Sequence, residues 1–96
     1  MNSAFLEITM RIPKDKRSQA AKVYFDYREP FLSLIEGAVS KNLLVREEDV
    51  QVLHGFKSIE HAKAYLSSEM FKNDVFTGLS PLWEQDPEIR IFEVMG

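Results

Sequence analysis

Few side chains in this sequence have chemistry to offer. It holds two histidines, His54 and His61, three tyrosines, Tyr24, Tyr27 and Tyr65, one tryptophan, Trp83, and no cysteine. An imidazole set among aromatics can take a proton from a phenol or an enolisable carbonyl, and His54, two residues before Phe56, is the candidate for that role. The competing reading is a hydrogen-bonded core histidine without chemistry. Tyr24, Tyr27 and Tyr65, with Phe76 and Trp83, could line an aromatic pocket whose hydroxyls orient a ligand. Against it stands plain core packing of an aromatic stripe. His61 lies off the Ile59–Ala62–Leu66 stripe and is expected in solvent. The two histidines could hold a metal only with carboxylates brought from elsewhere, because they lack the spacing of paired helical ligands; no metal site is expected. Glu47-Glu48-Asp49 reads as a solvated hairpin tip, and Lys14, Lys16 and Arg17, diluted by Asp15, as a solvated helix start. There is no Gly-rich phosphate loop, no Gly-x-Ser-x-Gly elbow and no metalloprotease helix motif.

The scaffold for these groups is small. At 96 residues, 45% hydrophobic and 28% charged, the sequence reads as one domain over 1–96. A core of that size is modest, and such domains often bury further surface against a second copy. No run of about 18 apolar residues is present to cross a bilayer. Met1 to Glu7 lacks the basic start of a signal peptide, and the absence of cysteine suits a reducing compartment, so a cytoplasmic protein is expected. The net charge of −3, from 12 basic and 15 acidic residues, is the wrong sign for non-specific nucleic-acid binding. His54-Gly55-Phe56 echoes an RNA-recognition motif only faintly. Neither nucleic acid nor membrane is expected as a partner.

Periodicity assigns the elements. Leu6, Ile8, Met10 and Ile12 alternate with Glu7, Thr9 and Arg11, predicting a strand over Phe5 to Ile12 that Pro13 ends. Asp15 is placed to cap a helix running to about Glu36, its stripe formed by Ala20, Tyr24, Tyr27, Phe31 and Leu34/Ile35. Pro30 should kink or restart that helix, and Gly37 suits a left-handed cap after it. Ala38 to Val45 and Val50 to Phe56 read as a hairpin about Arg46–Asp49. Ser58 caps a second helix with Ile59, Ala62, Leu66 and Met70 on its buried side. Asn73-Asp74 breaks the pattern, Val75 to Trp83 is a short apolar segment, and Glu88 to Met95 is a last strand. The order β-α-β-β-α-β is the split βαβ, ferredoxin-like arrangement: an α+β fold with a four-stranded antiparallel sheet. Two helices cover only one face of such a sheet, which leaves Leu53, Phe92 and Val94 for burial by a second copy.

The segment Gly55 to Phe71, the Gly37-Ala38 start of the second strand and the apolar stretch before the last strand resemble antibiotic-biosynthesis-monooxygenase-like domains of the dimeric α+β barrel superfamily. In those domains a Trp often closes the third strand and a His often stands in the second helix; Phe56 and Tyr65 occupy the matching positions. The haem-degrading members also use an Asn on the first strand, which this strand lacks. The resemblance implies a homodimer through the helix-free face, whose two sheets close a barrel, and a small-molecule pocket between sheet and helices. It also implies that His54, in step with Phe56, faces that pocket. The expected activity is a cofactor-independent oxygenase or isomerase-like reaction on a small aromatic or enolisable molecule. In it His54 would stabilise or generate the substrate anion, the anion would hand an electron to O₂, and Tyr24, Tyr27, Phe56, Tyr65, Phe76 and Trp83 would bind the substrate. The alternative is a homodimer of the same fold that only binds a ligand, or only serves structure.

Overall fold

The structure, a computed structural model, describes residues 2–95; Met1 and Gly96, the ends of the expected 1–96 domain, lie outside the described residues. The first strand, β1, spans Ala4–Met10 and buries every second side chain. It is shorter than the alternation suggests: Ile12 keeps its place in the core but has left the ladder, just before Pro13. A 3-10 turn over Lys14–Lys16 leads into α1, Arg17–Leu34. Asp15 lies within that turn, so it does not cap α1, whose N-cap is Lys16 with no side-chain bond. The tie at this end is Arg17 instead. Its guanidinium donates to the carbonyls of Ile12 at 3.1 Å, Arg46 at 2.7 Å and Glu47 at 2.9 Å, joining the helix start to the hairpin loop. Lys14 pairs with Glu47 at the same place, both side chains remaining largely in solvent. Pro30 neither ends nor restarts the helix, which runs unbroken to Leu34.

Gly37 follows at φ +80°, where a Cβ would collide with the His61 ring. β2 (Ala38–Val45) and β3 (Val50–Phe56) form the expected hairpin. Its loop is closed by the Arg46 N–H to Asp49 carbonyl bond at 3.0 Å and by two 2.8 Å bonds from the Arg46 guanidinium to the Asp49 carboxylate. Ser58 caps α2, Ile59–Leu66, accepting from the His61 N–H. The chain does not break at Asn73-Asp74. A short α3, Glu69–Phe71, winds directly into a π-helical stretch over Lys72–Leu79 that turns Asp74, Val75 and Leu79 inward. A 3-10 turn, Ser80–Leu82, and a loop then lead to β4, Glu88–Glu93, so Val94 and Met95 lie past the strand.

The sheet is antiparallel throughout, in the order β2-β3-β1-β4. Residues opposite one another share a face, so the pairings Leu6↔His54, Ile8↔Val52 and Lys41↔His54 put all five side chains on the helix-covered side. Phe5↔Phe92 and Glu7↔Leu53 belong to the other side, which no helix covers. Phe92 is 46% exposed, Leu44 43% and Val94 40%.

One interaction ties the edge strand to the π-helical stretch. Lys41, on β2, donates to Asp74 Oδ2 at 2.7 Å with both side chains buried. Burial draws the lysine pKa down and pushes the aspartate up, each opposed by the partner's charge. Lys41→Met strands the Asp74 carboxylate in the core and is expected to cost about 3–5 kcal/mol in urea unfolding, whereas Lys41→Met with Asp74→Leu is expected to restore stability to within about 1 kcal/mol of the wild type. A single variant as stable as the double would show that the pair is not desolvated.

Candidate active site

The alternation of β3 directs His54 toward the helices, as expected, and the helices then close over it completely. Its ring meets Phe31 edge-on at 5.2 Å between centroids, Tyr65 at 5.3 Å and Phe56 in a stacked arrangement at 6.5 Å. Nδ1 lies 3.2 Å from the Leu6 carbonyl, which can only accept, so Nδ1 carries the proton and Nε2 presents a lone pair. Nε2 has no partner among the described residues. Burial, and then the Lys41 charge, pull the His54 pKa down to about 3. At neutral pH the ring is therefore an uncharged and weak proton acceptor, well below the range in which a general base is most effective.

Around His54 lies a set of buried polar groups. Tyr24 donates from its hydroxyl to the Lys41 carbonyl at 2.7 Å. The Lys41 ammonium stands 5.4 Å from the Phe31 ring centroid and 5.8 Å from that of Tyr24. Elsewhere in the core the Tyr65 hydroxyl, Asp74 Oδ1 and Trp83 Nε1 are buried with no hydrogen-bond partner among the described residues. Burial, the Asp74 charge and Tyr27 push the Tyr65 phenol well above its ordinary pKa. Lys41 and Asp74 had no signal in the sequence, since a lone lysine in a strand and an aspartate in an apparent break both read as surface.

His54 and Phe56 are packed between sheet and helices. A cleft of about 250 Å³ lies between the end of α1 and one side of α2, lined by Leu34, Ile35, Glu36, His61, Ala64, Tyr65 and Ser68. Of the residues expected to bind substrate, Tyr65 alone lines it. Tyr24 is buried under α1, Tyr27 is half-buried, and Phe56 is fully enclosed. Phe76 is 48% exposed and meets Trp83 edge-on at 5.9 Å, away from the cleft lining. His61, expected in solvent, is instead part of the wall, with 31% of its side chain exposed. A second, polar hollow of about 330 Å³ is lined by Thr9, Arg11, Asp49, Gln85, Asp86 and Glu88. Among the described residues no group of three His, Asp or Glu could hold a metal, and no helix is long and apolar enough to cross a membrane.

The depth of His54 has a measurable consequence. Its folded pKa, about 3, lies below the ordinary 6.5, so on acidification the unfolded chain takes the proton first. The stability tied to the neutral ring is complete above that ordinary value and is lost as the pH falls toward the folded one, at about 1.4 kcal/mol per pH unit within the window. Urea unfolding of His54→Leu between pH about 5.5 and pH about 4.5 is expected to show a slope shallower than the wild type by close to that amount. Identical slopes would mean that His54 is hydrated.

Comparison with known proteins places this arrangement. No family model and no curated protein matches the chain. Solved structures do. The chain is similar to a Caulobacter crescentus CB15 protein provisionally named an antibiotic biosynthesis monooxygenase, at 16% identity and a TM-score of 0.83, over 99% of this chain and 92% of that one. It is similar to a conserved protein from Methanosarcina mazei Go1 at 19% identity and a TM-score of 0.80, over 97% and 93%. A Bacteroides thetaiotaomicron VPI-5482 protein described as a possible oxidoreductase matches at 18% identity and a TM-score of 0.76, over 98% and 100%. At such identities the likeness speaks for architecture: the chain has the ferredoxin-like α+β fold of antibiotic-biosynthesis-monooxygenase-like domains.

Proposed function

We propose that this chain is a single-domain, monooxygenase-like protein that takes a small aromatic or enolisable molecule into the cleft between α1 and α2 and works as a homodimer without a bound cofactor. The observation that carries the reading is Tyr65. Tyr65 is among the residues lining the cleft, and its ring packs on His54, which stands opposite Lys41 of the buried Lys41–Asp74 pair and whose Nε2 has no partner among the described residues. A core selected for stability alone would replace such groups by apolar ones, because each unpaired polar atom costs about 1–3 kcal/mol. Groups of this kind concentrate where a site is built. The names of the structural neighbours, an antibiotic biosynthesis monooxygenase and a possible oxidoreductase, point the same way. Apolar cleft walls at Leu34, Ile35 and Ala64 suit a ring of modest size. The chemistry that needs no cofactor is donation of an electron to O₂ by the substrate's own anion. In this reading His54 supports Tyr65 from below. The second reading, binding without turnover, is favoured by the weak basicity of His54 and is separated from the first by whether a bound molecule is consumed.

The homodimer reading rests on the sheet face that no helix covers, where Phe5, Leu44, Leu53 and Phe92 stand among Glu7, Asn42, Gln51 and Arg90. Leu53→Asp would set a carboxylate in the middle of it, and sedimentation at micromolar concentration is expected to change from dimer to monomer. A wild type that sediments as a monomer would overturn this half of the reading. For the cleft, Ala64→Trp fills the space from an exposed helix position. Binding of small phenols and cyclic ketones, followed by calorimetry, is expected to fall by about tenfold or more in that variant. Equal affinity in both proteins would place the ligand elsewhere.

A further inference from the structure

His61 is a polar residue of the cleft lining whose ring is held on both sides. It stands one helical turn before Tyr65, in the first turn of α2. The Ser58 oxygen accepts from the His61 backbone N–H at 3.2 Å as the helix cap and lies 2.7 Å from His61 Nδ1. Because a hydroxyl rotates, Ser58 serves either imidazole tautomer: it donates to a bare Nδ1 or accepts from a protonated one. On the far side of the ring, Nε2 is 3.5 Å from Glu36 Oε1, on a carboxylate that is 92% exposed. The ring lies against the turn at Gly37, where any Cβ would strike it. Both nitrogens therefore have a defined neighbour, and each neighbour can accept a hydrogen bond when the ring carries two protons. Ser58 thus holds Nδ1, and Nε2 is turned toward the Glu36 carboxylate.

The lining also limits what would bind beside it. Leu34, Ile35, Ala64 and Tyr65 offer apolar walls, and the Ser68 hydroxyl is spent on the Tyr65 carbonyl and the Phe71 N–H. Glu36 is the only formally charged residue of the lining and is an anion, which disfavours a carboxylate or phosphate entering already charged. A neutral ring with an acidic hydroxyl meets neither obstacle.

We propose that His61 is the proton acceptor of the cleft, taking the hydroxyl proton of a phenol or a cyclic enol onto Nε2, with Ser58 holding Nδ1 and Glu36 facing the imidazolium. This rests on the reading of the cleft as a small-molecule site. The step moves one proton: the ligand O–H bond breaks, its electron pair stays on oxygen as phenolate or enolate, and an N–H bond forms at Nε2. In a substrate that reacts with O₂, the anion so formed is the electron donor.

Para-nitrophenol reports the step directly, since its anion absorbs in the visible and the neutral phenol does not. At a pH where the free probe is mostly neutral, the wild-type protein is expected to bind it and develop the phenolate band. His61→Gln is expected to bind it without the band. Glu36→Gln, an exposed change that leaves folding undisturbed, is expected to reduce the bound phenolate by up to about fivefold, the scale of a partly exposed ion pair. A band that persists in His61→Gln, wild-type binding only as the colourless phenol, or an undiminished band in Glu36→Gln overturns the proposal and leaves the cleft reading intact. Absence of wild-type binding, or binding that Ala64→Trp does not weaken, overturns the cleft reading and the proposal together.

Discussion

Phe31 is the contact on which the helical layer depends. It is fully buried on α1 and meets His54, Phe56 and Tyr65 edge-on, at 5.2, 5.6 and 5.1 Å between ring centroids. Through those three rings it fixes the last turns of α1 to β3 and to α2 at once. It also explains why Pro30 does not end the helix. A proline in a helix interior costs about 3 kcal/mol. Burying a Phe side chain returns about 1.5–3 kcal/mol, and each aromatic contact adds about 0.5–1.5. Carrying the helix one more turn to seat Phe31 therefore outweighs the lost hydrogen bond. The cleft follows from this, because its α1 wall, Leu34 to Glu36, begins three residues beyond Phe31.

Beneath that aromatic layer the core contains groups that stability alone would not select. The Lys41–Asp74 pair, the lone nitrogen of His54, the Tyr65 hydroxyl, the free oxygen of Asp74 and the indole N–H of Trp83 are all out of solvent. A domain typically keeps only about 5–15 kcal/mol of net stability, and unsatisfied buried atoms at about 1–3 kcal/mol each are a large share of it. The chain tolerates them because the apolar core around them is dense and continuous, from Leu6 and Ile8 on β1 to Val75 and Leu79 on the π-helical stretch. Long π-helical windings are uncommon and tend to mark functional positions. This one carries Asp74 to Lys41 across 33 residues of sequence.

The two faces of the sheet divide the labour. On β3, Val52, His54 and Phe56 point to the helices, while Gln51 and Leu53 point to the uncovered side. A small domain needs both: one face supplies a core and the walls of a cleft, and the other supplies area for association. β3 and β1 are each paired on both edges, and their alternate side chains belong to both faces.

Much of the architecture was legible in the residues themselves. A period of two assigned β3 to Val50–Phe56 and turned His54 inward; Arg46–Asp49 closed the hairpin; Ser58 capped α2; Gly37 took its positive φ. All of these follow from local backbone geometry, which acts over a few neighbouring residues. Asp15 was misread as a cap because the competing tie, from Arg17 to the carbonyls of Arg46 and Glu47, reaches about 30 residues along the chain. Lys41 and Asp74 escaped notice for the same reason, and so did the inclusion of His61 in a cleft wall built partly by Leu34 to Glu36. The direction in which a side chain points is set by its own strand or helix, so the sequence by itself determined the fold and the inward face of His54, Phe56, Tyr24 and Tyr65. How deeply that side chain is buried, which charge stands beside it and whether any opening reaches it depend on segments distant in the chain, and only the tertiary packing decided those.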